Sequence, residues 1–521
     1  MMKKIAYFLG VSLFLSACAS DYLDTEPQSS ADTGIILENT ENAKLAINGI
    51  CYMMARQYLS SQGYNGEGTI KTWYGNYPGN DFQKCNLTGW SNVINGTATY
   101  MASNTSKYDY YPWYYYYKLI GNANAVICNI DAASGSEDEK KFIKAQGLTF
   151  RAYSYFMMSQ LYCARWVDSN NGSTRGLPLR IDQGTDDLPA STLAEVYAQV
   201  YQDLDDAISM FKEAKEAGID RESDDNYSPN LNVAYAVYAR AALTREDWEN
   251  AAKYAALARE GYPLMSNDEY VNGGFNAPNQ EWIWSCYGAS DQTLYYYSFH
   301  AYQGSNSSAS VCRNYPCAIS KELYDQIPET DVRRTMYLAP KADEVDTYTH
   351  STGRASKGAL YDRAKRDYAD KLYSTSYIFA YMQFKFQCSE QPGVGHVNNF
   401  RSAEMYLTEA EALCHIGGRD TEVQNLLIAL NRDSGRNPEY TCTKTGADLL
   451  EEVKLYRRFD LWGEGFDWFD HKRWNEPIVR HSYPEGNFHT QFAITKETSE
   501  TNGWTWVYPR KETDYNGAFQ E

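Results

Sequence analysis

Along much of the chain, apolar residues return every three or four positions, the spacing that places them on one face of an α-helix. Between residues 41 and 60 the recurring positions are Ala43, Ile47, Ile50, Met54 and Tyr58; between 138 and 164 they are Phe142, Ala145, Leu148, Ala152, Tyr155, Met158 and Leu161. Past Pro189, Thr192-Leu193-Ala194-Glu195 has the form of a capping box, in which a hydroxyl and a carboxylate satisfy free backbone amides at a helix start. Val196, Val200, Leu204, Ile208 and Phe211 carry the same spacing onward. The pattern predicts an amphipathic helix over each of these stretches.

From Leu231 to Pro263 a helix, a tight polar turn and a second helix fit within about 33 residues. Small residues at Ala251, Ala255 and Ala258 let two helices approach closely, which is the tetratricopeptide pattern. A further pair is predicted over Ser402 to Arg432, turning at Gly417-Gly418. Stretches 61–107, 264–400 and 476–521 show no helical period and are rich in Gly, Asn, Ser and aromatics. Long irregular segments in a compact protein usually carry function. The expected fold is therefore mainly α: tetratricopeptide-like helix pairs forming a scaffold, with an irregular, loop-rich, ligand-binding half.

The first residues read as an export signal. Lys3 and Lys4 precede an apolar run from Ile5 to Leu15, too short to span a bilayer but suited to a signal peptide. The run ends in Leu15-Ser16-Ala17-Cys18, which looks like a lipobox, with Cys18 acylated as the mature N-terminus. The expected division is residues 1–17 as signal peptide, 18–34 as a polar tether to the lipid, and 35–521 as the folded domain. No later segment approaches transmembrane length, so attachment is expected through lipid, at about 0.8 kcal/mol per buried methylene.

A net charge of -19 and a pI near 4.9 exclude a nucleic-acid partner, which needs a basic face, and adsorption on an anionic membrane surface. Apart from Cys18, the cysteines are scattered, with only Cys312 and Cys317 close together. They form no CxxC pair and no Cys/His cluster of zinc spacing. Most sit in helical apolar patterns, as Cys128, Cys163 and Cys414 do, and read as small buried residues rather than disulfides. The histidines show no HExxH, and the chain has no G-x-S-x-G elbow, P-loop or dinucleotide fingerprint. Among 67 acidic residues, paired carboxylates arise by chance and point to no glycosidase site. Glu464 is read as a structural contact and Gly465 as a helix terminator. The Asp182–Asp187 loop reads as solvated rather than as a calcium site. No catalytic residue, metal or cofactor is expected, and the protein is not expected to be an enzyme.

Tyrosine is abundant, 46 residues against 19 Phe and 12 Trp. Tyr and Trp present a flat apolar face with a polar edge, suited to stacking on sugar rings while hydrogen-bonding hydroxyls. The run Tyr110–Tyr117 leads into a helix and is read as scaffold packing. The candidate ligand-binding residues come from the irregular stretches: Trp73, Tyr74, Trp90, Tyr287, Tyr296 and Tyr315, with Tyr77, Tyr295 and Tyr297 beside them.

In several blocks the chain resembles the SusD/RagB-type outer-membrane nutrient-uptake lipoproteins. Asp21-Tyr22-Leu23-Asp24 with Pro27 is similar to the family's start, and Tyr114 to Asn124 to its Y-x-x-I-x-x-A-N helix. Ala145 to Phe156, followed by Gly176-Leu177-Pro178-Leu179, resembles its next helix and turn, and Arg401 to Ala412 its late helix. Arg457-Arg458-Phe459-Asp460-Leu461-Trp462-Gly463-Glu464-Gly465, with Asp470 and Arg473-Trp474, is the most specific match. Phe466-Asp467 departs from it, standing where the family places a basic or aromatic pair. The resemblance implies four tetratricopeptide-like pairs supporting an irregular binding half, a surface-exposed lipoprotein of the outer membrane, a glycan ligand or, alternatively, a peptide, and a SusC-like TonB-dependent transporter as partner.

Overall fold

The computed structural model describes residues 37–59, 63–85, 103–288, 297–497 and 504–519. Its principal helices are α1 (Thr40–Met53), α2 (Lys107–Asn129), α3 (Glu137–Tyr162), α4 (Leu193–Glu216), α5 (Leu231–Thr244), α6 (Trp248–Ala258), the short α7 (Phe299–Gln303), α8 (Ser402–Ile416), α9 (Asp420–Ile428), α10 (Gly446–Asp460) and α11 (Asp467–Trp474). The predicted capping box opens α4: the Thr192 hydroxyl accepts from the Glu195 amide at 3.2 Å, and the Glu195 carboxylate accepts from the Thr192 amide at 2.7 Å. Asn39, Asn230 and Asp247 cap α1, α5 and α6 in the same sense, each side chain accepting from a first-turn amide.

Helix α3 is the axis of the scaffold, packed by α1, α2, α4 and α5, and every residue from Ala145 to Tyr162 is buried. Its Arg151 joins three helices: Nε and Nη2 donate to Asp203 of α4 at 2.8 and 2.6 Å, and Nη1 donates to Asn124 of α2 at 2.9 Å. The α5/α6 pair closes on Ala251, Ala255 and Ala258, all buried. The α8/α9 pair turns at Gly417 and Gly418, whose φ angles of +78° and +71° are left-handed values that L side chains rarely adopt. Arg240 of α5 grips Glu404 of α8 with bonds of 2.6 and 2.7 Å, locking the two pairs together. Rings of the Tyr110–Tyr117 run pack inward as expected, with Tyr111, Trp113, Tyr115 and Tyr116 buried.

The irregular half holds more structure than the pattern predicted. Within 61–107, Gly66–Thr69 is α-helical and continues into a π-helix over Ile70–Asn76, and each of these residues is buried. A helix covered on all sides needs no polar face and leaves no amphipathic period to detect. Strands β1 (Phe82–Lys84), β2 (Trp282–Cys286), β3 (Cys317–Ile319) and β4 (Val397–Arg401) form two antiparallel ladders, β1 with β3 and β2 with β4. Cysteines 163, 312 and 317 are buried thiols, Cys414 is half-buried, and Cys128 is exposed because it falls outside the buried stripe of α2. The Asp182–Asp187 loop is exposed.

The scaffold and the irregular half meet over a buried set of charges. Arg401, at the end of β4, donates to Glu281 at 2.6 Å, to Asp460 at 2.7 Å and to Glu464 at 2.8 Å. Arg333 reaches the other Asp460 oxygen at 2.6 Å, Arg436 reaches Glu281 at 3.0 Å, and Lys385 reaches Glu464 at 2.6 Å. Burial would raise the Asp460 carboxyl, but Arg436, Arg401 and Arg333 hold it well below the usual carboxylate range. Charges buried this deeply persist because each is paired and hydrogen-bonded. Helix α10 ends at Asp460, ahead of Gly465, which instead turns the chain toward α11 with φ +93°.

Candidate functional site

The six ring positions proposed from sequence divide into three groups. Trp90 and Tyr296 lie outside the described residues, as does Cys18. Trp73 and Tyr74 sit in the π-helix at 1% exposure each, which corrects their reading as ligand contacts. Trp73 is enclosed by Tyr64, Tyr108 and Tyr302, with ring centroids 5.2, 5.5 and 5.9 Å away. The Tyr74 hydroxyl donates to the Tyr108 carbonyl at 2.5 Å, and its ring packs on Trp506 at 5.3 Å. Rings so enclosed present no face to a sugar. Tyr287 and Tyr315 are half-buried and retain accessible surface.

Tyr287 belongs to an aromatic trio that the sequence did not reveal. Its ring meets Tyr227 at 5.4 Å and 88° and His396 at 5.8 Å and 71°, while Tyr227 and His396 stack at 5.6 Å and 25°. All three side chains are half-buried. The Gly288 amide donates to His396 Nδ1 at 3.2 Å, so Nε2 carries the ring proton. Partial burial lowers the His396 pKa, favouring the neutral ring. Tyr227 is fixed from behind: its carbonyl accepts from the Trp284 indole of β2 at 2.6 Å. The Tyr227 hydroxyl also lies 3.3 Å from His396 Nδ1, so the trio offers flat ring faces, the Tyr287 hydroxyl and an imidazole N–H on a rigid backing.

Helix α7 links this trio to a second group. On one side the His300 Nε2–H donates to the His396 carbonyl at 2.8 Å, and burial pushes the His300 pKa down to about 4. A Cβ on Gly395 would overlap the His300 ring, so the close approach of the segment before β4 to α7 requires glycine. On the other side Tyr302 packs against Trp73 and against half-buried Tyr297, the latter at 6.4 Å. Tyr108, also half-buried, completes this second rim. Tyr108, Tyr287 and Tyr297 stand at or near the ends of segments 86–102 and 289–296, which carry Trp90, Tyr295 and Tyr296. Tyr315, on the turn before β3, joins neither group.

A polar groove of about 570 Å³ adjoins Tyr227 through its chain neighbour Asn226 and is lined also by Arg221, Asn230, Asn232, Tyr262 and Gln280. Its amides and charged groups can donate to or accept from hydroxyls. The Glu464 carboxylate, in contrast, is buried under Arg401 and Lys385 and takes part in the internal charge set.

A family model described as "SusD family" matches residues 248–519, and another, described as "Starch-binding associating with outer membrane", matches residues 21–243. A SusD-like carbohydrate binding protein from Bacteroides vulgatus ATCC 8482 is 23% identical, with a TM-score of 0.74 over 92% of this chain and 97% of its own. A SusD superfamily protein from Bacteroides thetaiotaomicron VPI-5482 is 20% identical, with a TM-score of 0.70 over 92% and 99%. A SusD-like carbohydrate binding protein from Bacteroides fragilis NCTC 9343 is 16% identical, with a TM-score of 0.66 over 93% and 100%. No curated protein matches the sequence significantly. These structures share the helical fold described above.

Proposed function

The chain belongs to the SusD family, and from that premise we propose that it is a cell-surface lipoprotein of the outer membrane that binds a glycan and passes it to a SusC-like TonB-dependent transporter. The observation that carries the ligand class is the Tyr227–Tyr287–His396 trio, half-open rings held on a fixed backing. Such rings take the C–H faces of a pyranose while their polar edges meet its hydroxyls. The starch-binding description of the family model over residues 21–243 and the carbohydrate-binding description of the Bacteroides vulgatus relative support the same class.

Cys18 is the proposed lipid site, residues 1–17 the signal peptide and 18–34 the tether that lets the domain 35–521 stand off the membrane. The glycan leaves chemically unchanged, because the role of the rings is capture. A lid-like capture protein needs only modest affinity, since confinement at the transporter mouth raises the effective concentration of the ligand.

The test is a binding screen of the chain lacking residues 1–18 against defined polysaccharides and peptides, followed by analysis of the recovered ligand. A glycan bound by the wild type, returned intact, and bound about two- to tenfold more weakly by Tyr287→Ala is expected. Binding of peptides alone would move the protein to a peptide-uptake role, and sustained product formation would make it an enzyme.

A further inference from the structure

Helix α11 carries Asp467 and His471 four residues apart, which sets both side chains on one face. The turn leading into β1 brings Asp81 against that face, across 386 residues of sequence. One ligand-capable atom from each of the three side chains lies within 4.8 Å of the others. Asp81 and His471 are 3% and 4% exposed.

The histidine is the informative member. Neither of its ring nitrogens has a hydrogen-bond partner. Its Nε2 points to Asp467 Oδ1 at 3.6 Å, beyond hydrogen-bond range. A buried imidazole without a partner is an expensive arrangement unless something accepts its lone pair. Beside it a cavity of about 20 Å³ is bordered by Asp81, Asp467 and His471, enough for one water-sized sphere.

The two carboxylates are already aimed and hydrogen-bonded, as metal ligands usually are. Asp467 Oδ1 accepts from the Asn80 amide at 2.9 Å, and Oδ2 from the Asp81 and Phe82 amides at 2.7 and 3.2 Å. Asp81 accepts from Arg458 at 2.7 and 2.8 Å and from the Ser320 hydroxyl at 3.2 Å. Asp81 Oδ1 also accepts from the Asn80 side-chain amide at 3.4 Å, so the lone pairs left for a further electrophile lie on Asp81 Oδ2 and Asp467 Oδ1, each with one donor. Arg458 pairs with Asp81, and the buried Arg480 also faces both carboxylates, so the site is close to charge balance before any ion enters.

We propose that Asp81, Asp467 and His471 form a binding site for one divalent transition-metal ion. An imidazole with two carboxylates is the donor set that zinc and its first-row neighbours accept, and the remaining coordination positions fall to water. Carboxylates and imidazole bind a metal ion in their deprotonated forms, so uptake weakens in acid. The ion would fasten the closing helix α11 to the turn before β1, joining scaffold to irregular half.

The experiment uses the untagged mature chain, stripped with EDTA, dialysed against zinc, washed and assayed for bound metal by mass spectrometry. Wild type and His481→Ala, which removes an exposed histidine paired with Glu322, are expected to hold one zinc per chain and to melt higher with zinc than without. His471→Leu is expected to lose that ion and the zinc-dependent rise in melting temperature, and Asp467→Asn to weaken both. Binding by wild type at pH 5.5 should fall well below that at pH 7.5. His471→Gln serves as a second variant should the leucine form fail to fold. Folded wild type that retains no zinc, manganese or nickel, or His471 variants that keep the full complement, would overturn the assignment.

Discussion

Glu411, on α8, lies beneath the Arg473 guanidinium of α11, which donates to both of its carboxylate oxygens, the second at 2.7 Å. The Trp474 indole adds a third bond at 2.8 Å. Burial would raise the Glu411 carboxyl, yet Arg473 overrides it and holds the group down at about 2. Against an unfolded value of about 4.3, that depression means stability present above the unfolded pKa and lost as pH falls toward about 2. Replacing Glu411 by Gln removes one of the two carboxylates that Arg473 pairs with, leaving Asp470 at 3.1 Å, and is expected to lower stability by about 1–3 kcal/mol at pH 7. The mutant should also lose part of the wild-type acid sensitivity below pH 4.5. Denaturant titrations at neutral and acid pH measure both effects; an unchanged midpoint at pH 7 would remove this pair from the interface between scaffold and closing block.

Two tryptophan and tyrosine positions test the division between wall and ligand face. Trp73→Ala opens a hole in an enclosed ring cluster and should lower stability by about 3–5 kcal/mol. Tyr287→Ala removes one half-exposed ring and should weaken glycan binding by about 0.5–1.5 kcal/mol with little change in melting temperature. Calorimetric binding paired with thermal melting separates the two outcomes. Loss of stability without loss of affinity at Tyr287 would assign the trio to packing.

The contrast between these positions shows where the sequence was readable. The α4 capping box, the α5/α6 alanine spacing and the Gly417-Gly418 turn are local signals, and each element formed where they stood. The 66–76 helix was missed because burial on every side erased its period. The same loss of period hides the burial of Trp73 and Tyr74. Tyr287 was legible as an aromatic in a polar stretch, but its partners were not: Tyr227 and His396 are 169 residues apart, Tyr227 held on Trp284 of β2 and His396 one residue before β4. Asp467 and His471 carry a readable four-residue spacing, yet nothing local names Asp81 as the third member.

The proposed lipid site predicts that anchoring is separable from folding. Cys18 lies ahead of the first described helix, α1, so a lipid there is expected to contribute attachment rather than stability. Cys18→Ala is expected to shift the protein from the detergent phase to the aqueous phase while melting and ligand binding stay as they were. Detergent partitioning that survives the change would exclude Cys18 as the lipid site.

Asp109 makes the opposite pH prediction to Glu411. It stands in the first turn of α2, where the positive end of the helix favours a carboxylate, yet it is fully buried and neither oxygen has a hydrogen-bond partner. Burial wins and pushes its pKa up to about 9, so the folded protein keeps this acid neutral at pH 7. Unfolding releases it to about 3.9, where it ionises freely. For an acid raised in the fold, stability is whole below the unfolded pKa and declines as pH rises, by at most about 1.4 kcal/mol per unit, until the folded pKa is passed. Asn has nearly the same shape and no charge to bury. Asp109→Asn is therefore expected to match wild type near pH 4, to exceed it increasingly toward pH 8, and to flatten the alkaline limb of the stability curve. Denaturation midpoints of both proteins across pH 4–9 test this; parallel curves would mean that Asp109 is ionised in the fold and that a partner for it exists.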